Sequence, residues 1–207
     1  MAKKNTKTIQ KECRSIGTAV RAEGDSRIIE GLAIVFDRDS QNIGWIEQIV
    51  KGAVDDDTIK RSDVVATLNH NPLRGILARS RYGKGTLSLW IEDDGMHYRF
   101  QCPKTALGDE TLEMLDRGDC FASSFEFSMD YNAKDDEEWI YDEAKQMPRR
   151  YIKRIDRLYD VSVVYEPAYL DTEATRRSAE EITNTMDSLN ALQSEIDGLS
   201  NVDNILN

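Results

Sequence analysis

The chain has 207 residues, with 38 Asp or Glu against 27 Lys or Arg and a formal net charge of −11. This length is enough for one domain with an ordinary core, and the excess of negative charge argues against binding along a phosphate backbone, so we expect no nucleic-acid partner. No apolar run approaches the roughly 18 residues of a membrane-spanning helix and no signal peptide is recognised, so we expect no membrane partner and a soluble protein made in a reducing cytoplasm.

The N-terminal part of the chain, residues 1–26, is polar and begins with a basic stretch, and we expect it to be loosely ordered. It contains the first of three cysteines, Cys13, Cys102 and Cys120. They are odd in number and lack CxxC spacing, so they predict neither a disulfide framework nor a zinc site. The acidic runs at 55–57 and 135–138 have no adjacent histidine and are interpreted as solvated loops. We therefore predict no metal and no cofactor.

The next part, residues 27–172, is predicted to be the main domain and consists mostly of strands. β-branched and aromatic residues separated by turn signals predict strands at 27–37, 45–52, 86–93, 95–103, 120–131, 137–143 and 151–164. An Asp94-Gly95 turn predicts a hairpin, and apolar spacing predicts helices at about 55–60 and 106–116. We expect an α+β fold, a mostly antiparallel β barrel or curled sheet flanked by a few helices.

The last part, residues 173–207, is predicted to be a helical tail. A single apolar stripe with spacings of 4, 3, 3, 4 and 3 is typical of an amphipathic helix: Ile182, Met186, Leu189, Leu192, Ile196 and Leu199. The stripe fits a helix that covers the domain's own core. It equally fits a docking helix, a homo-oligomer contact or a removable tail.

Only two histidines occur in the chain, which draws attention to His70 in the segment LNHNPLRG. Histidine is the side chain whose ordinary pKa lies near neutral pH. A serine-containing strand, FASSFEFSM, and Asp160 in an apolar run follow, so the components of a Ser-His-acid hydrolase are present, and their chain order is no objection. The residues alone also allow plain structural roles, including a turn at His70 and an ion pair of Asp160 with Arg154 or Arg157.

Four segments, in this order along the chain, resemble those of a known protein family. They are the strand EGLAIVFD, the histidine segment LNHNPLRG with the strand pair after it, a helix ending in RGD followed by Ser124-Phe125, and the block LYDVSVVYEPAYLDTEA. Over about residues 29–174 the chain resembles the prohead (capsid maturation) proteases of tailed phages, a family related in fold to herpesvirus assemblin proteases.

The resemblance implies three catalytic residues. The family histidine corresponds to His70, the nucleophile to Ser124, and the acid to Asp160. Strand alternation favours Ser124 over Ser123, because Ser123 would share the apolar face of the following phenylalanines. The chain departs from the family pattern where Glu126 replaces the usual glycine and where Asp160 replaces the usual glutamate.

Two alternatives remain open for these roles. The assemblin relatives use a second histidine as third member, which would be His97, and Cys120 is a less favoured nucleophile. If neutral His70 accepts the Ser124 proton, activity should fall as the pH drops through about 6.5.

The function implied is a serine endopeptidase that cleaves capsid-protein and scaffold segments, and itself, inside the immature phage capsid in the host cytoplasm. The alternatives are a non-catalytic capsid assembly or scaffolding factor with the same fold, and a hydrolase of small substrates. The chain has no GxSxG motif to favour the latter.

Overall fold

A computed structural model describes residues 10–16, 20–22, 27–130 and 133–165. Within them the chain forms strands, two α-helices and a short 3-10 helix at Pro72–Arg74. The elements in chain order are β1 Glu12–Ile16, β2 Arg21–Ala22, β3 Ile28–Val35, β4 Ile46–Ile49, α1 Asp56–Arg61, β5 Asp63–Leu68, β6 Ala78–Arg81, β7 Lys84–Gly85, β8 Leu87–Ile91, β9 Gly95–Gln101, α2 Ala106–Asp116, β10 Ala122–Ser128, β11 Glu137–Asp142, β12 Met147–Ile152 and β13 Arg157–Val164.

The strands form three sheets, ordered β1-β10-β13-β5-β6-β7, β11-β12-β4 and β2-β3-β9-β8. Pairing is antiparallel except between β13 and β5 and between β12 and β4, which are parallel. Across the described residues each sheet stays open. The predicted α+β class with mostly antiparallel pairing is confirmed, and the barrel we allowed for is replaced by open sheets.

One hydrophobic cluster draws side chains from all three sheets. In β10 the alternating pattern directs Phe125 and Phe127 into this cluster, where both are fully buried. Ile29 of β3 and Ile152 of β12 contribute from the other two sheets. Burying side chains of this size stabilises the fold by about 1.5–3 kcal/mol each. The opposite face of β10 remains available for polar side chains.

The two predicted helices and the predicted hairpin are confirmed. Asp55 caps α1 in a capping box with Thr58, and Thr105 caps α2 through the backbone N–H of Gly108. The hairpin pairs β8 with β9 around the turn before Gly95. Each prediction rested on a signal within a few residues of the element.

One predicted strand is divided in two. Residues 151–164 contain the end of β12 and all of β13, with a connection at 153–156 between them. In that connection the backbone N–H of Ile155 donates to Ala53 and that of Asp156 donates to Ser128, at 2.8 and 2.9 Å. Ile155 itself is fully buried, so an apolar connection between two sheets was indistinguishable from a strand.

The N-terminal part also differs from the expectation of a loose polar segment. β1 pairs with β10 and β2 pairs with β3, so residues 12–16 and 21–22 belong to the sheets. The chain consists of two compact units, residues 1–171 and residues 172–207. All of the described residues belong to the first unit. The predicted tail helix lies outside the described residues. In the part of the chain that is described, no helix is long and apolar enough to span a membrane.

Candidate active site

His70 is presented by a tight turn at the end of β5. The turn covers 68–71 and is closed by a hydrogen bond from the backbone N–H of Asn71 to the carbonyl of Leu68, at 3.2 Å. Both central residues, Asn69 and His70, have positive φ, 53° and 52°. Asn and His enter this region more readily than most residues. The backbone N–H of His70 donates to Ser162 Oγ at 3.0 Å, which ties the turn to β13.

The strands beside this turn place their polar residues on one face. Ser124 of β10 lies opposite Ser162 of β13, and Ser162 lies opposite Thr67 of β5. Glu126 lies opposite Asp160 in the same ladder. Successive strand residues alternate between faces, so these side chains project away from the core.

His70 joins Ser124 and Asp160. Its Nε2 lies 2.5 Å from Ser124 Oγ, and its Nδ1 lies 2.7 Å from Asp160 Oδ1. The side chains of His70 and Asp160 are 17% and 5% exposed. The three residues named from the sequence therefore meet in one partly buried cluster, in the order serine, imidazole, carboxylate.

The alternative residues lie elsewhere. His97 is on β9, where its Nε2 lies 2.8 Å from Asp94 and its ring stacks on Trp90. Cys120 is buried, and burial raises the pKa of its thiol. Neither His97 nor Cys120 makes one of the contacts described for Ser124.

Two hydroxyl groups that sequence reasoning did not identify hold Asp160 in place. Ser162 Oγ donates to Asp160 Oδ1 at 2.5 Å, and Thr67 Oγ1 donates to Oδ2 at 2.8 Å. Hydrogen bonds to an ionised acceptor are stronger than neutral ones, so these two bonds fix the direction of the carboxylate. The sequence did contain a signal for Ser162, because a residue two positions after Asp160 lies on the same face of the strand.

The imidazole is strongly basic in this arrangement. Burial lowers the pKa of His70, but hydrogen bonds to Asp160 and Cys13, with the charges of both groups, outweigh burial and raise the pKa to about 10. The expected fall in activity below about pH 6.5 was based on the ordinary pKa of histidine. With β1 in place, the raised pKa of His70 moves this fall to higher pH.

Sequence reasoning missed the contribution of β1. Cys13 Sγ lies 3.2 Å from His70 Nε2 and 3.5 Å from Ser124 Oγ. Burial raises the pKa of Cys13, but hydrogen bonds to His70 and Ser124 outweigh burial and lower it. Ser15 Oγ donates to Ser124 Oγ at 2.8 Å, and Ser124 Oγ donates to the carbonyl oxygen of Arg14 at 2.9 Å. Under these contacts Ser124 is 0% exposed.

Among the described residues, one group of side chains could offer ligands to a metal ion. Ligand atoms of Glu92, Asp94 and His97 lie within 4.8 Å of one another on the β8–β9 hairpin. Both carboxylates are exposed, and acidic clusters of this kind are common at protein surfaces. The group is separate from the Ser124 cluster.

Comparison with known proteins gives a family. No curated protein matches the chain. The solved structure of the capsid assembly protease gp21 of bacteriophage T4 is similar at 13% identity and a TM-score of 0.45, covering 76% of this chain and 98% of that one. The family model for the caudovirus prohead serine protease matches residues 16–187. The resemblance noted from the sequence is thereby confirmed, and the chain belongs to the caudovirus prohead serine protease family.

Proposed function

We propose that this chain is a serine endopeptidase with Ser124 as nucleophile, His70 as general base and acid, and Asp160 as the group that orients the imidazole. The observation that carries the proposal is the position of the His70 imidazole between the other two side chains. Its Nε2 lies 2.5 Å from Ser124 Oγ, and its Nδ1 lies 2.7 Å from Asp160 Oδ1. These are the contacts that nucleophilic catalysis by a base-activated serine requires.

The chemistry is acyl transfer. Neutral His70 accepts the Ser124 proton while the oxygen attacks the scissile carbonyl carbon, then gives that proton to the leaving amine. Water hydrolyses the resulting ester by the same route. Asp160 accepts from Nδ1–H, which keeps Nε2 free to receive the proton and stabilises the imidazolium that forms. The hydroxyls of Thr67 and Ser162 keep the carboxylate aimed at the ring.

The substrates proposed are segments of the capsid protein and its scaffold, and the chain itself. Membership of the prohead serine protease family supports this choice. The site of action is then the interior of the immature capsid in the host cytoplasm. An extended segment would bind by adding a strand to an edge of the sheet. We also propose that residues 27–172 are the protease domain and that 173–207 form a tail that docks, oligomerises or is removed.

The test is co-expression with the capsid protein of the same phage, followed by mass spectrometry of the products. Wild type and the matched control Ser123→Ala should give the same fragments, and Ser124→Ala should give none. Ser123 is the control because it is the neighbouring serine on the core face, where its Oγ contacts the hydroxyl of Tyr98 at 3.0 Å. Thermal melting checks that each variant is folded. Fragments in equal yield from Ser124→Ala would overturn the assignment of Ser124 as nucleophile, and the absence of fragments with wild type would favour the non-catalytic assembly factor.

A further inference from the structure

The strand β1 occupies the edge of the sheet beside the proposed nucleophile. β10 has β13 on one side and β1 on the other, so without β1 it would be the edge strand of the six-stranded sheet. An edge strand binds extended peptides through its free backbone groups. Because Ser124 is fully buried here, a peptide that reaches its hydroxyl must take the place of β1.

The backbone of β1 presents one particular peptide bond to Ser124. Ser15 lies directly opposite Ser124 in the ladder, and the carbonyl oxygen of Arg14 accepts a hydrogen bond from Ser124 Oγ at 2.9 Å. Cys13, the residue before Arg14, contacts His70. The bond between Arg14 and Ser15 is therefore the one placed at the proposed nucleophile.

The side chain of Arg14 points to the opposite face and enters a buried acidic pocket. Its Nε lies 2.5 Å from Glu47 Oε1 and its Nη2 lies 2.8 Å from Oε2, so the two groups form a bidentate pair. Glu47 is 0% exposed and Arg14 is 9% exposed. Two parallel bonds of this kind recognise the planar guanidinium group and are not reproduced by lysine.

A second side chain of β1 is recognised two residues earlier. Glu12 shares the strand face of Arg14, and its two carboxylate oxygens lie 2.6 and 3.0 Å from the guanidinium of Arg150. Arg150 is 4% exposed and is held from the other side by Glu137 at 2.6 Å. The pocket thus matches an acidic and a basic side chain with one residue between them.

Building on the proposed function, we propose that β1 lies in the chain's own substrate site. Arg14–Ser15 is a self-cleavage bond, and Glu47 and Arg150 select peptides with arginine immediately before the scissile bond and an acidic side chain two residues before that arginine. In the reaction, Ser124 Oγ bonds to the Arg14 carbonyl carbon, the bond to the Ser15 nitrogen breaks, and the Ser124 proton passes through His70 to that nitrogen. Water then hydrolyses the ester, residues 1–14 leave with a new carboxylate, and the chain begins at Ser15.

The first test follows the N-terminus of the purified full-length chain by intact mass and N-terminal sequencing. Wild type should convert to a chain that begins at Ser15, and Ser124→Ala should stay intact. Arg14→Gln should slow the conversion at least tenfold. The matched control is Lys11→Gln, a basic residue of the same segment whose ammonium contacts Glu126 outside the pocket; it should convert at the wild-type rate.

A second test does not depend on the folding of an Arg14 variant. A peptide with the sequence of residues 9–20 is added to the wild-type chain, beside forms in which its arginine or its glutamate is replaced by glutamine. Cleavage should fall between Arg and Ser, and kcat/KM should drop at least tenfold for the arginine replacement and several-fold for the glutamate replacement. The Glu47→Gln variant should lose the preference for arginine over glutamine in the peptide.

Denatured casein is the reference substrate that separates the two proposals. If wild type cuts casein in a manner that depends on Ser124, while the N-terminus stays intact and the peptide is not cut after arginine, the inference about β1 is overturned and the protease assignment stands. If no substrate is cut in a manner that depends on Ser124, the protease assignment fails and the inference fails with it.

Discussion

Replacing Asp160 by asparagine removes one charge from the candidate site while keeping the size of the side chain. The carboxylate lies 2.7 Å from His70 Nδ1 and also accepts from Ser162 and Thr67. Asparagine can still accept a hydrogen bond through its amide oxygen. It cannot stabilise the imidazolium by charge, and its amide group can rotate to favour the wrong tautomer of the ring. We therefore expect Asp160→Asn to fold and to cleave much more slowly.

The expected size of the loss follows from the distance. Two unit charges 2.7 Å apart interact by about 6 kcal/mol at an effective dielectric constant of ~20. The amide oxygen retains part of the interaction, so a loss of about 4–5.5 kcal/mol in the transition state is reasonable. At 1.36 kcal/mol per factor of ten this corresponds to a rate lower by about 10³–10⁴.

The assay compares initial rates of Ser124-dependent casein cleavage by wild type, Asp160→Asn and the control His97→Ala. His97 is the alternative third member, and its ring contacts Asp94 on the β8–β9 hairpin. We expect His97→Ala to retain most of the wild-type rate. If Asp160→Asn stays within tenfold of wild type while His97→Ala is inactive, the assignment of Asp160 is wrong and the arrangement with two histidines is right.

Three further predictions concern Cys13, Glu47 and the tail. Cys13→Ala removes one of the groups that raise the pKa of His70 in the uncleaved chain. Because His70 accepts a proton only when neutral, the rising limb of the pH–rate profile for conversion to the form that begins at Ser15 should move to lower pH, and an unchanged limb would contradict the contact. In the Ser124→Ala background, which keeps residues 1–14, Glu47→Ala removes a carboxylate from between two buried guanidiniums and should lower the free energy of unfolding in urea by about 3–5 kcal/mol. A change below ~1 kcal/mol would refute the buried network. Truncation after Thr172 should leave a cooperatively melting chain with Ser124-dependent cleavage, and an insoluble product would show that the tail belongs to the core.

The parts of the fold that the sequence predicted well are those with local signals. The alternation in FASSFEFSM assigned Ser124 to one face and Phe125 to the other, and the structure buries Phe125 completely in the core. Such periodicity is read within a few residues. The hairpin at Gly95 and the helix near residues 55–60 were predicted from signals that are equally local.

The contacts between distant residues needed more than periodicity. His70 and Ser124 are 54 positions apart, and β13 brings Asp160 beside them through a parallel pairing with β5. Composition and spacing do not specify a strand order, so the family resemblance supplied the grouping of these three residues. It did not supply Thr67 and Ser162, because ordinary strand hydroxyls have no distinguishing sequence pattern.

The strand β1 shows why the hydropathy pattern did not predict this part of the candidate site. A surface strand is recognised by apolar residues facing inward, whereas β1 directs Glu12 and Arg14 inward to Glu47 and Arg150 and leaves the thiol of Cys13 facing His70. A strand of this kind buries little apolar area, so its attachment depends on backbone pairing and on buried ion pairs, whose net stabilisation is small after the cost of desolvation. β1 should consequently be displaced more easily than a strand anchored by apolar side chains. Exchange of one extended segment for another at the edge of β10 requires this property, and the same property hid β1 from a search for apolar periodicity.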